Sequence, residues 1–173
     1  MLIAMAGLPG AGKSMIAEVV GGRLAASVVS VDLIESAILN AGIDNDQPTG
    51  LAAYLVGEAI VESLLASGHT VILDAVNAVD PAREQWVRLA ERQGETLKFI
   101  EVVCSDVELH RERLENRRLT VPHITWPSWH AVEQSLDEYS DWSGPSAAIA
   151  RITLDSVRPL GVNVESALAF VKS

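Results

Sequence analysis

Residues 7–14 read GLPGAGKS and follow the apolar run LIAMA. Three glycines, Gly7, Gly10 and Gly12, precede Lys13 and Ser14. Glycine tolerates backbone conformations and close approaches that a Cβ would block. Successive N–H groups of such a bend can converge on an anion, helped by the positive end of a following helix. A flexible surface turn would use the same glycines. It would not need a strand before it, a helix pattern after it, and the spacing G-x-x-x-x-G-K-[ST]. The chemistry this points to is phosphate binding, with Lys13 reaching the terminal phosphates and the Ser14 hydroxyl on Mg²⁺.

Two further apolar runs end in aspartate, SVVSVD at Asp32 and VILD at Asp74. In a parallel sheet both carboxylates would lie at the C-terminal edge, beside the loop that follows the first strand. A carboxylate there can hold Mg²⁺ through water, or take a proton from an attacking hydroxyl. Either residue could alternatively be a helix cap.

The elements that must position these groups alternate along the chain. Strands are predicted at LIAMA (2–6), SVVSV (27–31), TVILD (70–74), LKFIEVV (97–103) and RITLD (151–155). Their near-continuous apolar character is that of parallel strands buried on both faces. Between them lie helix patterns with readable ends. Asp80 followed by Pro81 predicts an N-cap and N1, with a stop near Gly94. Ser105 and Glu108 form a capping-box pattern. Ser128 caps a helix whose Trp129, Val132, Leu136 and Tyr139 share one stripe, and Gly68 ends a helix over about 51–67. The expected class is α/β with a parallel sheet. The stretch 118–128, with two prolines, reads as a loop inside one domain spanning 1–173.

Composition narrows the partners. The chain has 173 residues, a net charge of −10, 49% hydrophobic residues and one cysteine. That balance fits one globular core. An acidic surface disfavours nucleic acid and anionic membrane as partners. Cys104 alone forms no intramolecular disulfide, which fits a cytoplasmic setting. No uncharged stretch reads as a membrane helix, and no signal-peptide pattern opens the sequence.

With GLPGAGKS, Asp32, VILDAVN, CSDVELHRERLENRR and DSVRP in this order, the chain resembles P-loop kinases of the polynucleotide-kinase-like and zeta-toxin-like group. That group is often labelled AAA-family ATPase and is similar to chloramphenicol phosphotransferase and gluconate kinase. The resemblance implies a three-layer P-loop NTPase fold: a five-stranded parallel sheet ordered 2-3-1-4-5, with a small helical lid over about 111–128. It implies Mg·ATP as phosphoryl donor. Carried over by position, Gly7, Leu8, Pro9, Gly10, Ala11, Gly12, Lys13, Ser14 and Met15 hold the nucleotide, with Arg113, Arg117 and Arg158. Lys13, Asp32 and Arg117 are catalytic, with Asp32 the base. Ser14 and Asp74 serve the metal, although spacing does not decide which aspartate lies nearer to it. Asp32, Glu35, Asp74 and Asn77 face the acceptor, Asn77 as a contact or a positioning residue, and DSVRP flanks the adenine.

The lid arginines also follow from spacing, since residues four apart share a helix face. Guanidinium groups suit the charge developing on a transferring phosphoryl group. The competing reading is a charged surface helix paired with Glu108, Glu112 and Glu115. Arg111 and Arg118 are expected to be solvated.

Many relatives carry arginine three residues after the strand-end aspartate, where this chain has Glu35. No Lys or Arg occurs between Arg23 and Arg83. An anionic acceptor would meet repulsion and unpaired desolvation there. The expected acceptor is therefore a neutral or cationic small molecule with a hydroxyl. Arg83 or the lid arginines swinging in would defeat that argument, as would a merely solvated acidic face. Two other functions compete. One is a nucleotide-dependent switch without an acceptor, although no N-K-x-D tetrapeptide reads guanine. The other is a nucleotide or nucleic-acid 5′-end kinase. The tryptophans Trp126, Trp129 and Trp142 are expected to pack, His69 to face solvent, and His123 and His130 to lack metal-ligand spacing. Cys104 is expected to be a small buried hydrophobe. Gly21 and Gly22 interrupt a helix, and close packing on the sheet is the expected reason.

Overall fold

The five residues of β1, Leu2–Ala6, are all buried, as its unbroken apolar run requires. The computed structural model describes every residue except Asn45, residues 121–127 and Ser140. The side chains of 117–120 and 134–138 also lie outside the described set. Along the chain follow α1 (Lys13–Leu24), β2 (Ser27–Ser30), α2 (Val31–Asn40), α3 (Thr49–Ala66), β3 (Val71–Asp74), α4 (Asp80–Gln93) and β4 (Leu97–Val103). Then come α5 (Val107–Thr120), α6 (Trp129–Glu138), α7 (Gly144–Ala147), β5 (Arg151–Asp155) and α8 (Leu160–Lys172). The sheet is parallel throughout and ordered β2-β3-β1-β4-β5, as expected. Helices cover both faces, which gives the α/β P-loop architecture.

Alternation along β1 sorts the two cores. Leu2 and Ala4 join Leu73, Phe99, Trp86 and Val61 under α3 and α4. Ile3 and Met5 join Ile16, Val20, Val164 and Leu168 under α1 and α8. Close approach explains one of the two helix glycines. A Cβ on Gly21 would stand 2.6 Å from Val28 Cγ2, so with any other residue there Val28 or α1 would have to shift. Gly22 meets nothing within 4 Å among the described residues, and packing gives no reason for it.

Several expected boundaries shift. β2 stops at Ser30, whose hydroxyl accepts from Leu33 N–H at 3.4 Å, so Asp32 sits in the first turn of α2 rather than at a strand end. Val79 rather than Asp80 is the N-cap of α4, and Gly94 ends that helix at φ 64°. The Asp80 carboxylate instead receives the Ser143 hydroxyl and Arg83 Nη1 (3.2 Å), anchoring the α7 segment. The Ser105–Glu108 box does not form. Asp106 accepts from Leu109 N–H at 3.0 Å, while Ser105 donates its hydroxyl to Asp155 at 2.5 Å. Ser128 caps α6 by accepting from Ala131 N–H, as its place in the sequence predicts.

Helix α3 is long and apolar enough, by length and composition, to cross a membrane, contrary to the expectation that no stretch would be. Its packing is that of a layer helix. Ala53, Gly57, Val61 and Leu65 are buried, and Glu58 and Glu62 bond to Gln85, Arg92 and Gln93.

Candidate active site

The phosphate-loop bend depends on Gly7, whose φ is 134° and whose added Cβ would lie 2.2 Å from the Val102 carbonyl oxygen. Its N–H donates to Val76 O at 2.9 Å, tying the bend to the segment after β3. At the other end Gly12 takes the N-cap of α1 in the left-handed region, and no described side chain caps that helix. No acidic residue occupies the first turn of α1. The helix therefore presents a positive end toward the bend.

The bend is braced from behind. The buried ring of His110, on α5, has Nε2 2.8 Å from Pro9 O, so this nitrogen carries the proton and donates. Burial, with Lys13 and Arg113 nearby, pushes the His110 imidazole below its usual value and keeps it neutral. Trp129 meets the ring edge-on at 5.3 Å. Leu8 is buried with Leu114 and Val132, and its carbonyl accepts from Lys13 Nζ at 3.0 Å.

In front of the bend lies a cavity of about 800 Å³. Gly10, Gly12, Lys13, Ser14 and Met15 form its loop wall, and Asp32 and Asp74 both line it. Arg113 and Arg158 border it, with Ser156, Val157, Leu160 and Asn163 on the β5–α8 side. Gly7, Leu8, Pro9 and Ala11 shape the loop from behind and do not line this cavity. Arg113 is held in place: Nη1 donates to Ser156 Oγ at 2.7 Å and Nη2 to Ser156 O at 3.2 Å. Cys104, half-buried rather than buried, lies 3.7 Å from the same guanidinium. The side chain of Arg117 lies outside the described residues, as do Trp126 and His123.

Glu35 and Asn77 stand elsewhere. Glu35 accepts from Thr49 Oγ1 at 2.9 Å, joining α2 to α3, and does not line the cavity. Asn77 is fully buried at φ 46°. Its Nδ2 donates to Met5 O at 2.7 Å and its Oδ1 accepts from Trp86 Nε1 at 2.9 Å. It fixes the backbone behind Asp74. Arg83 is also fully committed: Nε donates to Asn77 O at 2.9 Å and Nη2 to Ala78 O at 2.8 Å. Its guanidinium stacks on Trp142 at 4.1 Å. It is no arginine in waiting for a substrate.

Asp74 is 4% exposed, and its Oδ1 has no hydrogen-bond partner among the described residues. An orphaned carboxylate oxygen on a residue that lines the same cavity as Lys13, Ser14 and Asp32 fits a small hard cation such as Mg²⁺. Two oxygen donors suffice, because Mg²⁺ keeps several waters and takes the rest from phosphate. Tyr54, held against the backbone N–H of Asn77, has its phenol pushed up to about 12 by burial, with Asp32 and Asp74 adding to the rise. It stays protonated beside the two acids.

Sequence reasoning missed His110 and Asn163. Neither carries a motif, and only the packing of α5 and α8 on the loops identifies them.

The sequence profile described as "AAA domain" matches residues 2–139. No curated protein matches the chain. Solved structures do. A sugar kinase from a Janibacter species is 18% identical over 99% of this chain and 94% of its own, with a TM-score of 0.70. The APS kinase of Mycobacterium tuberculosis, solved with AMPPNP and APS, is 17% identical over 99% and 97%, at 0.67. Kti12 of Chaetomium thermophilum, solved with ADP-AlF3, is 19% identical over 99% of both chains, at 0.70. These likenesses are of fold. Together with the phosphate-loop geometry and the profile match over most of its length, they lead to the conclusion that the chain belongs to the AAA domain family, in the P-loop kinase fold.

Proposed function

We propose that the protein transfers the terminal phosphoryl group of ATP to a hydroxyl of a small neutral or cationic molecule. The observation that carries this reading is one cavity lined by Lys13, Ser14, Asp74 and Asp32 together. The loop amides and Lys13 bind and orient the phosphates. Ser14 and Asp74 hold Mg²⁺, which neutralises phosphate charge when bound. Asp32 takes the proton of the acceptor hydroxyl as its oxygen bonds to the γ-phosphorus. The bond from that phosphorus to the bridging oxygen breaks, and the nucleoside diphosphate leaves. Arg113, with Arg117 from the lid over about 111–128, completes the positive surround. Catalysis then rests on orientation and charge stabilisation.

The choice of acceptor rests on charge. The window 24–82 contains no Lys or Arg, and Arg83, the next cation, is sealed beneath Trp142. The lone Cys104 supports a reducing, cytoplasmic setting.

Asp32→Asn should lower acceptor-dependent turnover by roughly 10²–10⁴-fold while calorimetry shows ADP binding preserved. A panel of amino alcohols, sugars, nucleoside monophosphates and oligonucleotide ends identifies the acceptor class. Turnover of only the last two would refute the neutral or cationic assignment. The similarity to Kti12 supports a second reading, a nucleotide switch without an acceptor. Acceptor-independent hydrolysis untouched by Asp32→Asn would favour it.

A further inference from the structure

The cavity in front of the phosphate loop is lined from both edges of the sheet, since β2 and β5 stand at opposite ends of the strand order. The two ends differ in charge. Arg113 and Arg158 border the cavity with the β5 end, and Lys13 sits on the loop between. With the β2 end come three acids, Asp32, Asp74 and Glu18, and no Lys or Arg occurs between Arg23 and Arg83.

Glu18 is exposed on α1, and the packing of that helix sets it over β2. Gly21 lies against Val28, where an added Cβ would stand 2.6 Å from Val28 Cγ2. From that contact toward the phosphate loop, α1 passes Glu18 and then Met15, while β2 passes Ser30 and leads into Leu33 of α2. Met15 and Glu18, three apart, share a helix face. Val28 and Ser30, two apart, share a strand face. All five line the cavity. Ser30 is in register with Asp74, so the groove between α1 and the β2–α2 corner leads toward the proposed reaction centre. Its walls are apolar and open: Met15 is 59% exposed, Leu33 62% and Val28 38%. One such side chain is ordinary surface, but three lining one cavity with a carboxylate among them are a bed for a ligand. The cations of α1 do not serve Glu18. Lys13 donates to Leu8 O at 3.0 Å, and Arg23 pairs with Glu165 at 3.3 Å.

Resting on the phosphotransfer role proposed for this cavity, we infer that Glu18 pairs with an ammonium group on the acceptor, which makes the substrate an amino alcohol with an apolar body. The hydroxyl meets Asp32, the body lies on Met15, Val28 and Leu33, and the ammonium reaches Glu18. Four residues of helix separate Ser14 from Glu18, so the two ends of the acceptor are on the order of 6 Å apart along α1. An uncharged alcohol fills the same bed without the ion pair. A phosphorylated one meets three carboxylates.

The test measures kcat/KM for aminohexanol and hexanol with Mg·ATP on the whole chain, with ADP binding followed by calorimetry. The probes share a body and a hydroxyl and differ in the ammonium group. Wild type should prefer aminohexanol about fivefold or more, the upper range for an ion pair at an exposed carboxylate, and the preference should reside in KM. Raised salt should shrink it. Glu18→Gln should bring the ratio close to one, and Glu18→Asp should keep part of it. Leu33→Ser should lower kcat/KM for both probes and leave the ratio, which separates the bed from the charge. Glu18 is exposed, so its substitutions leave the core intact, and ADP binding checks each variant. A wild-type ratio near one, a ratio unmoved by Glu18→Gln, or turnover of neither probe while ADP binds overturns the inference, and the phosphotransfer reading is then decided by the wider acceptor panel. Wild type that binds no ADP overturns both.

Discussion

Lys13 has two duties in one side chain. It closes the bend onto Leu8 O and borders the cavity where phosphate would lie. Lys13→Met should therefore abolish measurable ADP binding by calorimetry while the fold, read by circular dichroism, persists. His110 acts one step back, through the Pro9 carbonyl. Losing that hydrogen bond should weaken nucleotide affinity by about two- to tenfold in His110→Leu. His110→Gln, which restores an N–H near Nε2, should recover most of it. Equal affinities in all three forms would show that the bend needs no brace. Residues with fixed chemistry are legible in the sequence: the loop spacing alone marks Lys13 and Ser14, and two acids after apolar runs mark Asp32 and Asp74. His110 is not legible there. A single imidazole acquires meaning only from the carbonyl set against it by a distant segment, Pro9 lying 101 positions from His110.

At the level of elements, the two kinds of glycine should respond oppositely to the same change. Gly7→Ala forces a Cβ into Val102 O at a positive φ. It should destabilise by about 3 kcal/mol or more in urea unfolding. Gly22→Ala adds a methyl to an open helix position. It should stabilise by up to about 1 kcal/mol in the same assay. Strands are readable to within a residue because parallel strands buried on both faces give unbroken apolar runs. The helix starts are less readable. Ser105 and Asp106 are both able caps, and the choice falls to Asp106 because Asp155, from β5, claims Ser105. Asp80 is likewise drawn off to Ser143. In each case a partner at least 50 positions away outcompetes the local pattern. Asp32 resembles a strand end because Val31 continues the apolar run, although Ser30 already turns the chain into α2.

For the molecule as a whole, stability should fall with acid in two stages. Burial holds His110 below its ordinary value near 6.5. Below that pH the unfolded chain gains a proton that the native state does not take, so stability declines as pH falls from about 6.5 toward the lowered value. A second decline comes from carboxylates. Burial alone would raise Glu101, but hydrogen bonds from Thr153 and Trp142, with Arg151 nearby, outweigh it and the net shift is downward. Hydrogen bonds from Ser105 and Val157 N–H lower Asp155. Their contribution is full above the ordinary carboxylate range and is lost as pH falls below about 4 through the lowered native values. Urea midpoints measured across pH 3–8 (about twelve points suffice) should show both declines. His110→Gln should remove the upper one. A single decline in wild type would mean that His110 titrates normally.

The strand order has a consequence for how the chain is made. β1 pairs with β3 from Leu2 to Val71 and with β4 from Leu2 to Leu97, and Gly7 rests against Val76 and Val102. The first strand and its bend thus have their neighbours encoded some seventy to a hundred positions later. At about 5–20 residues per second the nascent bend waits on the order of ten seconds for them. During that interval its apolar lead, LIAMA, is exposed and in need of a chaperone's cover.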